Sequence, residues 1–307
     1  MTVLIIKKKN IIYLIISILI LILGVFIFNN VFKDKTQNVF APIDNSAEYS
    51  SDLTGDGVKD VLRVVSNDKY TDIKITSHNK IHTLSDLCDD NILLSNSSFW
   101  PSKVYVKNIS RRKCPEIIVQ GNKNNINTQY IFSWENGSFK KIFSSENNIL
   151  GILDSSGTRT PQCFSFNSSS GTSELNSFML IDNECVDITK DCKTPPDLSN
   201  IISLIDIIQK NYEVSEIPDI FTLEIPEDEL AIIWNLDKER NNYSFQDGFF
   251  YDESTDEKGR ITTIQWRLTF EKYIKETDDS SKSEFVLYAT TELTPENTYK
   301  ISSIYTK

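Results

Sequence analysis

The sequence predicts a mainly β protein whose short strands are grouped into units that recur along the chain. Runs of alternating polar and apolar residues, bounded by turn residues, begin near residue 51 and continue to the C-terminus, which is typical of antiparallel strands. One loop pattern also returns twice further along the chain, which indicates internal repeats. With 39% hydrophobic and 24% charged residues among 307, the chain can bury one large core or two ordinary ones.

The N-terminal part differs from the rest because it is strongly apolar. Residues 11–28 contain no charge, and a helix extended over residues 11–32 is long enough to cross a hydrocarbon core of ~30 Å. Three lysines at positions 7–9 precede it, so the positive-inside rule places the tail, residues 1–10, in the cytoplasm. We expect a single-pass, uncleaved signal anchor in the cell membrane, with the bulk of the chain extracytoplasmic.

A polar stretch, residues 33–50, follows the anchor and is predicted to be a stalk. A cleaved signal peptide is the alternative interpretation. Its small-residue site would be Val39-Phe40-Ala41, but this site lies well beyond the apolar run and is followed by Pro42.

The charge of the remaining chain bears on its partners. Without the three N-terminal lysines, 29 of the 32 basic residues stand against 43 acidic ones, a net charge of −14. A surface of this sign disfavours binding to nucleic acid or another polyanion. An acidic surface fits the attraction of cations better, and solubility explains it equally well. We expect a membrane-embedded chain whose partner is an envelope polymer or another protein.

The most informative stretch is an Asp- and Gly-rich loop that begins at Asp52. Side-chain oxygens of Asp52, Thr54, Asp56 and Asp60 stand at loop positions 1, 3, 5 and 9, and Val58 offers its carbonyl at position 7. Calcium takes six or more oxygen ligands, and alternate residues of a curled loop aim them at one point. These five residues are therefore the candidate ligands of one structural Ca²⁺ ion, with an unmetallated Asp/Gly turn as the alternative.

The residues after this loop separate it from an EF-hand. An EF-hand has a glutamate at position 12 followed by a helix, whereas position 12 here is Arg63 and the run Val61–Val65 predicts a strand. The sequence Asp-Leu-Thr-Gly-Asp-Gly-Val-Lys-Asp-Val resembles the calcium loops of the FG-GAP/VCBS repeat family. That resemblance implies integrin-like β-propeller blades, and together with the predicted anchor it leads us to expect a membrane-anchored bacterial member of the family.

Two weaker copies of the loop follow. Residues 108–119 match the loop, its acid and the next strand at a separation of 56 residues, and residues 154–164 match at 46 further on. We expect a short or partial β-propeller-like repeat domain over residues 51–196, each blade being a small antiparallel sheet stacked on its neighbour.

The copies differ in charge, which limits what they can bind. Arg112 replaces Asp56 in the second copy, where only Glu116 remains anionic, and the third keeps Asp154 alone. With a single carboxylate each, these copies cannot hold a dipositive ion. We predict calcium at the first loop only, with Arg111 or Arg112 paired to Glu116 in the second.

A hairpin is predicted between the second and third loops, because alternating aromatic residues flank Asn136-Gly137 over residues 129–143. Its strand ending in Trp and its Asn-Gly turn are also similar to VCBS-type repeats. Tyr130, Phe132 and Trp134 share one face, which we interpret as core rather than as a carbohydrate platform.

The C-terminal third changes character. A connecting helix is predicted over residues 197–212, with Asp197 or Ser199 as its cap. Residues 213–307 are expected to form a C-terminal antiparallel α+β domain. Four strands are predicted in it, at Tyr243–Tyr251, Ile261–Tyr273, Glu284–Leu293 and Tyr299–Tyr305. Residues 226–234 suit a helix or a strand equally.

Reactive residues point to no enzyme class. The sequence has none of the common nucleophile, phosphate or zinc motifs, and its two histidines, His78 and His82, fall in a predicted hairpin. Of its five cysteines, Cys185 and Cys192 are the expected bridge if one forms, with buried free thiols as the alternative. We expect a non-catalytic, calcium-stabilised binding or scaffold protein; the alternatives are a cell-envelope enzyme or accessory subunit, and a structural spacer presenting the C-terminal domain.

Overall fold

The computed structural model describes residues 41–154, 160–170, 174–191, 194–210, 218–275 and 281–306. The predicted tail, signal anchor and most of the stalk lie outside these residues. In the part of the chain that is described, no helix is long and apolar enough to cross a membrane. The described chain is mainly β, as predicted, with two α-helices and sheets that are almost entirely antiparallel.

Sheets A and B are built from consecutive strands. The strands of sheet A are β1 Tyr49–Ser51, β2 Asp60–Ser66, β3 Tyr70–Ser77, β4 Lys80–Thr83 and β5 Leu94–Ser95. They run in the order β1-β2-β3-β4, with β5 added beside β3. The strands of sheet B are β6 Lys103–Lys107, β7 Glu116–Lys123, β8 Ile126–Glu135 and β9 Ser138–Ser145, paired in that order.

Sheet C has eight strands. They are β10 Ile149–Leu153, β11 Gln162–Phe166, β12 Asn176–Ile181, β13 Glu184–Asp187, β14 Asn241–Thr255, β15 Ile261–Ile274, β16 Ser283–Leu293 and β17 Tyr299–Thr306. Their order is β13-β12-β11-β10-β14-β15-β16-β17, and β10 and β14 run parallel. The four predicted C-terminal strands are thus β14–β17. The predicted boundary between domains 51–196 and 213–307 is not a boundary between sheets, because the backbone of β10 pairs with that of β14.

Three four-stranded units share one pairing register. In each unit, one residue pair ends the loop between the first two strands. These pairs are Ser51–Asp60 in β1-β2, Lys107–Glu116 in β6-β7 and Leu153–Gln162 in β10-β11. The middle strands are joined by the pairs Val61–Thr76, Ile117–Phe132 and Cys163–Phe178. Equivalent residues lie 56 and then 46 positions apart, the two separations predicted from the loops. We name these units repeats 1, 2 and 3.

The last hairpin of each repeat turns through two residues of positive φ. These residues are His78 and Asn79, Asn136 and Gly137, and Asp182 and Asn183. Such turns match the right-handed twist of the flanking strands. The predicted hairpin at Asn136-Gly137 is confirmed, and the two histidines lie at or near a turn rather than on a helix.

Apolar residues join the layers. Sheets A and B share a core that includes Leu62, Ile75 and Phe132, so the predicted aromatic stripe is core. Sheet B also packs on sheet C, where Tyr105 stacks on Phe249 with ring centroids 4.1 Å apart. Between these layers, residues 128–133 of strand β8 are buried on both faces.

Two helices cover the other face of sheet C. They are α1, Leu198–Gln209, which matches the predicted connecting helix, and α2, Glu227–Trp234, which resolves the ambiguous segment. Acidic residues in the first turn of α2 favour the helix. Asp197 begins α1 but makes no side-chain cap, because its carboxylate accepts hydrogen bonds from Trp266 and Thr291 in the sheet.

Candidate functional site

The predicted calcium loop lies between β1 and β2 and is closed by Asp60. This residue is buried at the start of β2. Its Oδ2 accepts hydrogen bonds from the N–H groups of Leu53 at 2.8 Å and Thr54 at 3.0 Å. Asp60 is thus a clasp that satisfies the backbone of the loop it ends.

The other two carboxylates of the loop also accept backbone N–H groups. Asp52 accepts from Gly55, Asp56 and Gly57, and Asp56 accepts from Val58 at 2.7 Å. Gly55 and Gly57 have φ of 75° and 87°, a region that glycine adopts without steric cost. The loop is therefore curled by its own hydrogen bonds.

This arrangement bears on the predicted ion. Within the described ranges, no three or more His, Cys, Asp or Glu side chains are grouped so that they could hold a metal ion. Of the five predicted ligands, Thr54 alone has a buried side-chain oxygen for which no hydrogen-bond partner is found among the described residues. The carboxylates are turned toward backbone N–H groups, so a calcium ion at this loop stays a prediction.

The second loop repeats the clasp with a different acid. Glu116 is fully buried and accepts from the N–H groups of Ile109 and Ser110, and from the Ser110 hydroxyl. Arg112 lies 3.7 Å from its carboxylate, so the predicted pairing of Glu116 with one of the two arginines is confirmed for Arg112. Arg111 has φ of 57° at the position equivalent to Gly55.

A cleft opens beside the second and third loops. Its volume is about 450 Å³, within the range of small-molecule sites. The ends of β6, β10 and β14 form its walls, with residues Lys107, Asn108, Ile109, Arg111, Ile152, Asp154, Pro161, Tyr251, Asp252, Glu253, Ser254, Thr255 and Gly259. We name it the loop-end cleft.

A lysine and a tyrosine form one side of the loop-end cleft. Lys107 Nζ lies over the ring of Tyr251, 5.0 Å from its centroid. Burial lowers the pKa of the Lys107 ammonium to about 8. Burial is also the main cause that raises the pKa of the Tyr251 hydroxyl to about 12. A cation on an aromatic face, partly shielded from water, is an arrangement that can recognise a polar ligand with an apolar face.

Acidic groups also line the cleft. Asp154 Oδ2 lies 3.4 Å from Arg111 Nη2, while Asp154 Oδ1 is buried and no partner for it is found in the described chain. Asp252 Oδ1 accepts the N–H of Asp154 at 3.2 Å, and burial raises the pKa of Asp252. The cleft therefore offers both hydrogen-bond donors and acceptors.

The sequence predictions found only part of this site. Arg111 and Asp154 were identified as loop residues, but Lys107, Tyr251 and Asp252 were not. Tyr251 and Asp252 belong to β14, and its parallel pairing with β10 joins segments about 100 residues apart. No local sequence pattern predicts that pairing. The one signal that could have identified a residue of the cleft is that Lys107 directly precedes the second loop.

Comparison of the chain with known protein families gives no match, and neither does comparison with curated protein sequences.

Proposed function

We propose that this chain is a membrane-anchored, extracytoplasmic binding or scaffold protein that captures an envelope polymer or a partner protein at the loop-end cleft. The observation that carries the proposal is the convergence of repeats 2 and 3 and strand β14 on that cleft. Rigid strands fix its walls, and their ends supply its polar groups, as in binding sites carried on a scaffold.

The location follows from the N-terminal sequence. The lysines at 7–9 and the apolar run 11–28 are proposed to anchor the chain with its β layers outside the cytoplasm. The three repeats are proposed to be FG-GAP/VCBS-like blades in an open stack. A calcium ion at the first loop, if bound, would add an architectural contact to a loop that Asp60 already closes.

A specific observation favours an enzyme as the second candidate. Lys107 and Asp252 both have shifted pKa values in one cleft, and such shifts concentrate at catalytic sites. A hydrolytic activity on envelope material that is lost in Lys107→Met and Asp252→Asn would support the enzyme. It would contradict a purely binding role.

Localisation is tested first, with the full chain carrying a C-terminal tag. Protease added to intact cells should remove the tag while a cytoplasmic marker survives. A tag that is cut only after lysis would overturn the extracytoplasmic assignment.

Binding is then measured by co-sedimentation of the full chain with purified envelope polymer. Tyr251→Ala and Asp252→Asn should each reduce binding at least tenfold, because they remove the aromatic face and an acceptor of the cleft. Tyr70→Ala is the matched control, since Tyr70 is an exposed tyrosine of sheet A. Equal binding by all three variants would exclude the cleft and leave the structural spacer as the alternative.

A further inference from the structure

A second group of polar residues is buried between sheets B and C, apart from the loop-end cleft. Lys103, at the start of β6, is 1% exposed, and its Nζ lies 2.9 Å from Asp247 Oδ2 of β14. The same Nζ lies 3.3 Å from Glu284 Oε1 of β16. We name Lys103, Asp247 and Glu284 the inter-sheet triad.

Local structure aims Asp247 at the lysine. The pairing of β14 with β15 slips between Phe245 and Asp247, which is a β-bulge. A bulge turns a side chain out of the regular alternation, and bulges are common beside reactive sites. Gln120 of sheet B donates from Nε2 to the carbonyl of Gly248 at 3.1 Å, which holds the two sheets in this position.

The side chains of Trp100 and Arg267 contact the two carboxylates of the inter-sheet triad. Trp100 Nε1 donates to Asp247 Oδ2 at 2.7 Å. Arg267 Nη1 lies 3.8 Å from Asp247 Oδ1, and Nη2 donates to Glu284 Oε1 at 3.3 Å. These donors are placed to stabilise negative charge on the oxygens of Asp247.

The buried charges of Lys103 and Asp247 cost desolvation free energy, and one reaction would reduce this cost. Lys103, Asp247 and Arg267 are almost completely buried, and removing charges from water is expensive even when they are paired. Joining Lys103 to Asp247 through an amide replaces one buried cation and one buried anion by a neutral group. The Arg267–Glu284 ion pair would remain.

The geometry satisfies the requirements of that reaction. Nζ of Lys103 lies 2.9 Å from Oδ2 of Asp247, and holding two reacting groups in contact removes much of the entropy cost of joining them. A lysine becomes a nucleophile when a base removes its proton, and Glu284 lies within reach of Nζ. Low exposure of Lys103 and Asp247 limits hydrolysis of the product.

We propose that Lys103 and Asp247 form an intramolecular isopeptide bond, with Glu284 as the catalytic proton acceptor and donor. The Lys103 ammonium gives one proton to Asp247 Oδ2, 2.9 Å away, and Nζ then attacks Cγ of the neutral carboxyl group while Glu284 takes a second proton from Nζ. The Nζ–Cγ bond forms and one Cγ–O bond breaks. The two hydrogens lost by Nζ leave with that oxygen as one water molecule, and Glu284 returns to its starting state. No oxidant or further reactant is needed.

The bond would join repeat 2 to the C-terminal strands across 144 positions of sequence. Cys88, Cys114, Cys163 and Cys185 are free thiols; Cys192, the other half of the predicted bridge from Cys185, lies outside the described residues. An isopeptide bond would give an extracytoplasmic protein the covalent restraint that these cysteines do not provide.

Peptide mass spectrometry of the full-length protein, digested with trypsin after purification, tests the bond. The wild-type protein should yield a branched peptide joining residues 81–107 to 241–258, lighter by one water than the two peptides together. The linear peptide ending at Lys103 should be lost. Both linear peptides at full mass in the folded wild-type protein, with no branched peptide, would overturn the proposal and leave an ion network, whatever the variants do.

Matched variants separate chemistry from packing. Lys103→Arg keeps the cation but should give no branch, and Glu284→Gln should reduce the rate of branching about 100-fold in pulse-labelled chain. Asp247→Asn should still give a branched peptide of the same mass, because ammonia then leaves instead of water, whereas Asp247→Ala should give none. A branch in Lys103→Arg would contradict the assigned residues.

Discussion

Buried carboxylates are held differently in the repeat loops and in the core between sheet C and its helices. Asp60 and Glu116 each accept two backbone N–H groups, and Glu116 also accepts a hydroxyl and lies beside Arg112. Asp197 is equally buried, but Trp266 and Thr291 both donate to its Oδ2, and no partner for Oδ1 is found among the described residues. A buried carboxylate therefore stabilises a loop where hydrogen-bond donors surround it, and it destabilises the folded state where one of its oxygens has no donor.

The largest effect is expected at Glu116. Glu116→Ala leaves one buried donor, on Ile109, and two half-buried donors, on Ser110, without their acceptor. It should reduce the free energy of unfolding by about 3–4 kcal/mol. Chemical denaturation of the full chain followed by tryptophan fluorescence measures the loss. Glu116→Gln, which keeps an acceptor oxygen, should lose about half as much. An alanine variant within ~1 kcal/mol of wild type would show that the clasp is unimportant.

Asp197 should make the free energy of unfolding depend on pH. Burial raises the pKa of Asp197 from 3.8 to about 6 in the folded protein, so the folded state holds the proton more tightly than the unfolded state. The stabilisation that comes from the protonated Asp197 is fully present below pH 3.8 and is lost as the pH rises through about 6. By linkage the loss is about 3 kcal/mol.

Denaturation midpoints measured across this pH window test the prediction. Asp197→Asn is the matched control, because it keeps an acceptor for Trp266 or Thr291 but does not titrate. The variant should show no decline between these pH values and so gain on wild type as pH rises. Parallel pH profiles for the two proteins would mean that Asp197 is not the group responsible.

Asp60 tests whether the first loop uses the same clasp as the second. Asp60→Ala leaves the N–H groups of Leu53 and Thr54 without their acceptor and should cost about 2 kcal/mol. The loss should be the same in calcium and in chelator, because it arises from the protein's own hydrogen bonds. A loss that appears only in calcium would assign Asp60 to ion binding instead.

The smallest effect in chelator is expected at Asp56, which is partly exposed and bonded to one backbone N–H. Asp56→Ala should change stability by no more than ~0.5 kcal/mol when calcium is absent. If the predicted ion binds, calorimetry should give one equivalent for wild type and none for the variant. Two or three equivalents would contradict the assignment of a single site to the first loop.

Short-range sequence patterns predicted most strands and helices, because each of these elements is determined by its own residues. The Asn136-Gly137 turn, the apolar spacing of α1 and the alternation around Trp266 each determine an element from its own residues. The loop acids marked the starts of β2 and β7, and with them the register of two repeats. The sequence could not reveal that Asp60 and Glu116 point at backbone N–H groups, since a calcium ligand and a clasp require the same residue types.

Long-range pairing was beyond prediction for a physical reason. Strand β10 meets β14 through close packing, in which a Cβ on Gly151 would lie 2.0 Å from the ring of Phe250. Nothing in either segment specifies the other, so the eight-stranded sheet, the loop-end cleft and the inter-sheet triad all escaped detection.

The equivalence of the repeat loops is tested most directly by amide hydrogen exchange of the full chain in chelator. The amides of Leu53 and Thr54 in repeat 1 and of Ile109 and Ser110 in repeat 2 should all be strongly protected, because a buried carboxylate accepts each of them. Protection in repeat 2 alone, with the amides of repeat 1 protected only after calcium is added, would contradict the account and make the ion, rather than Asp60, the element that closes the first loop.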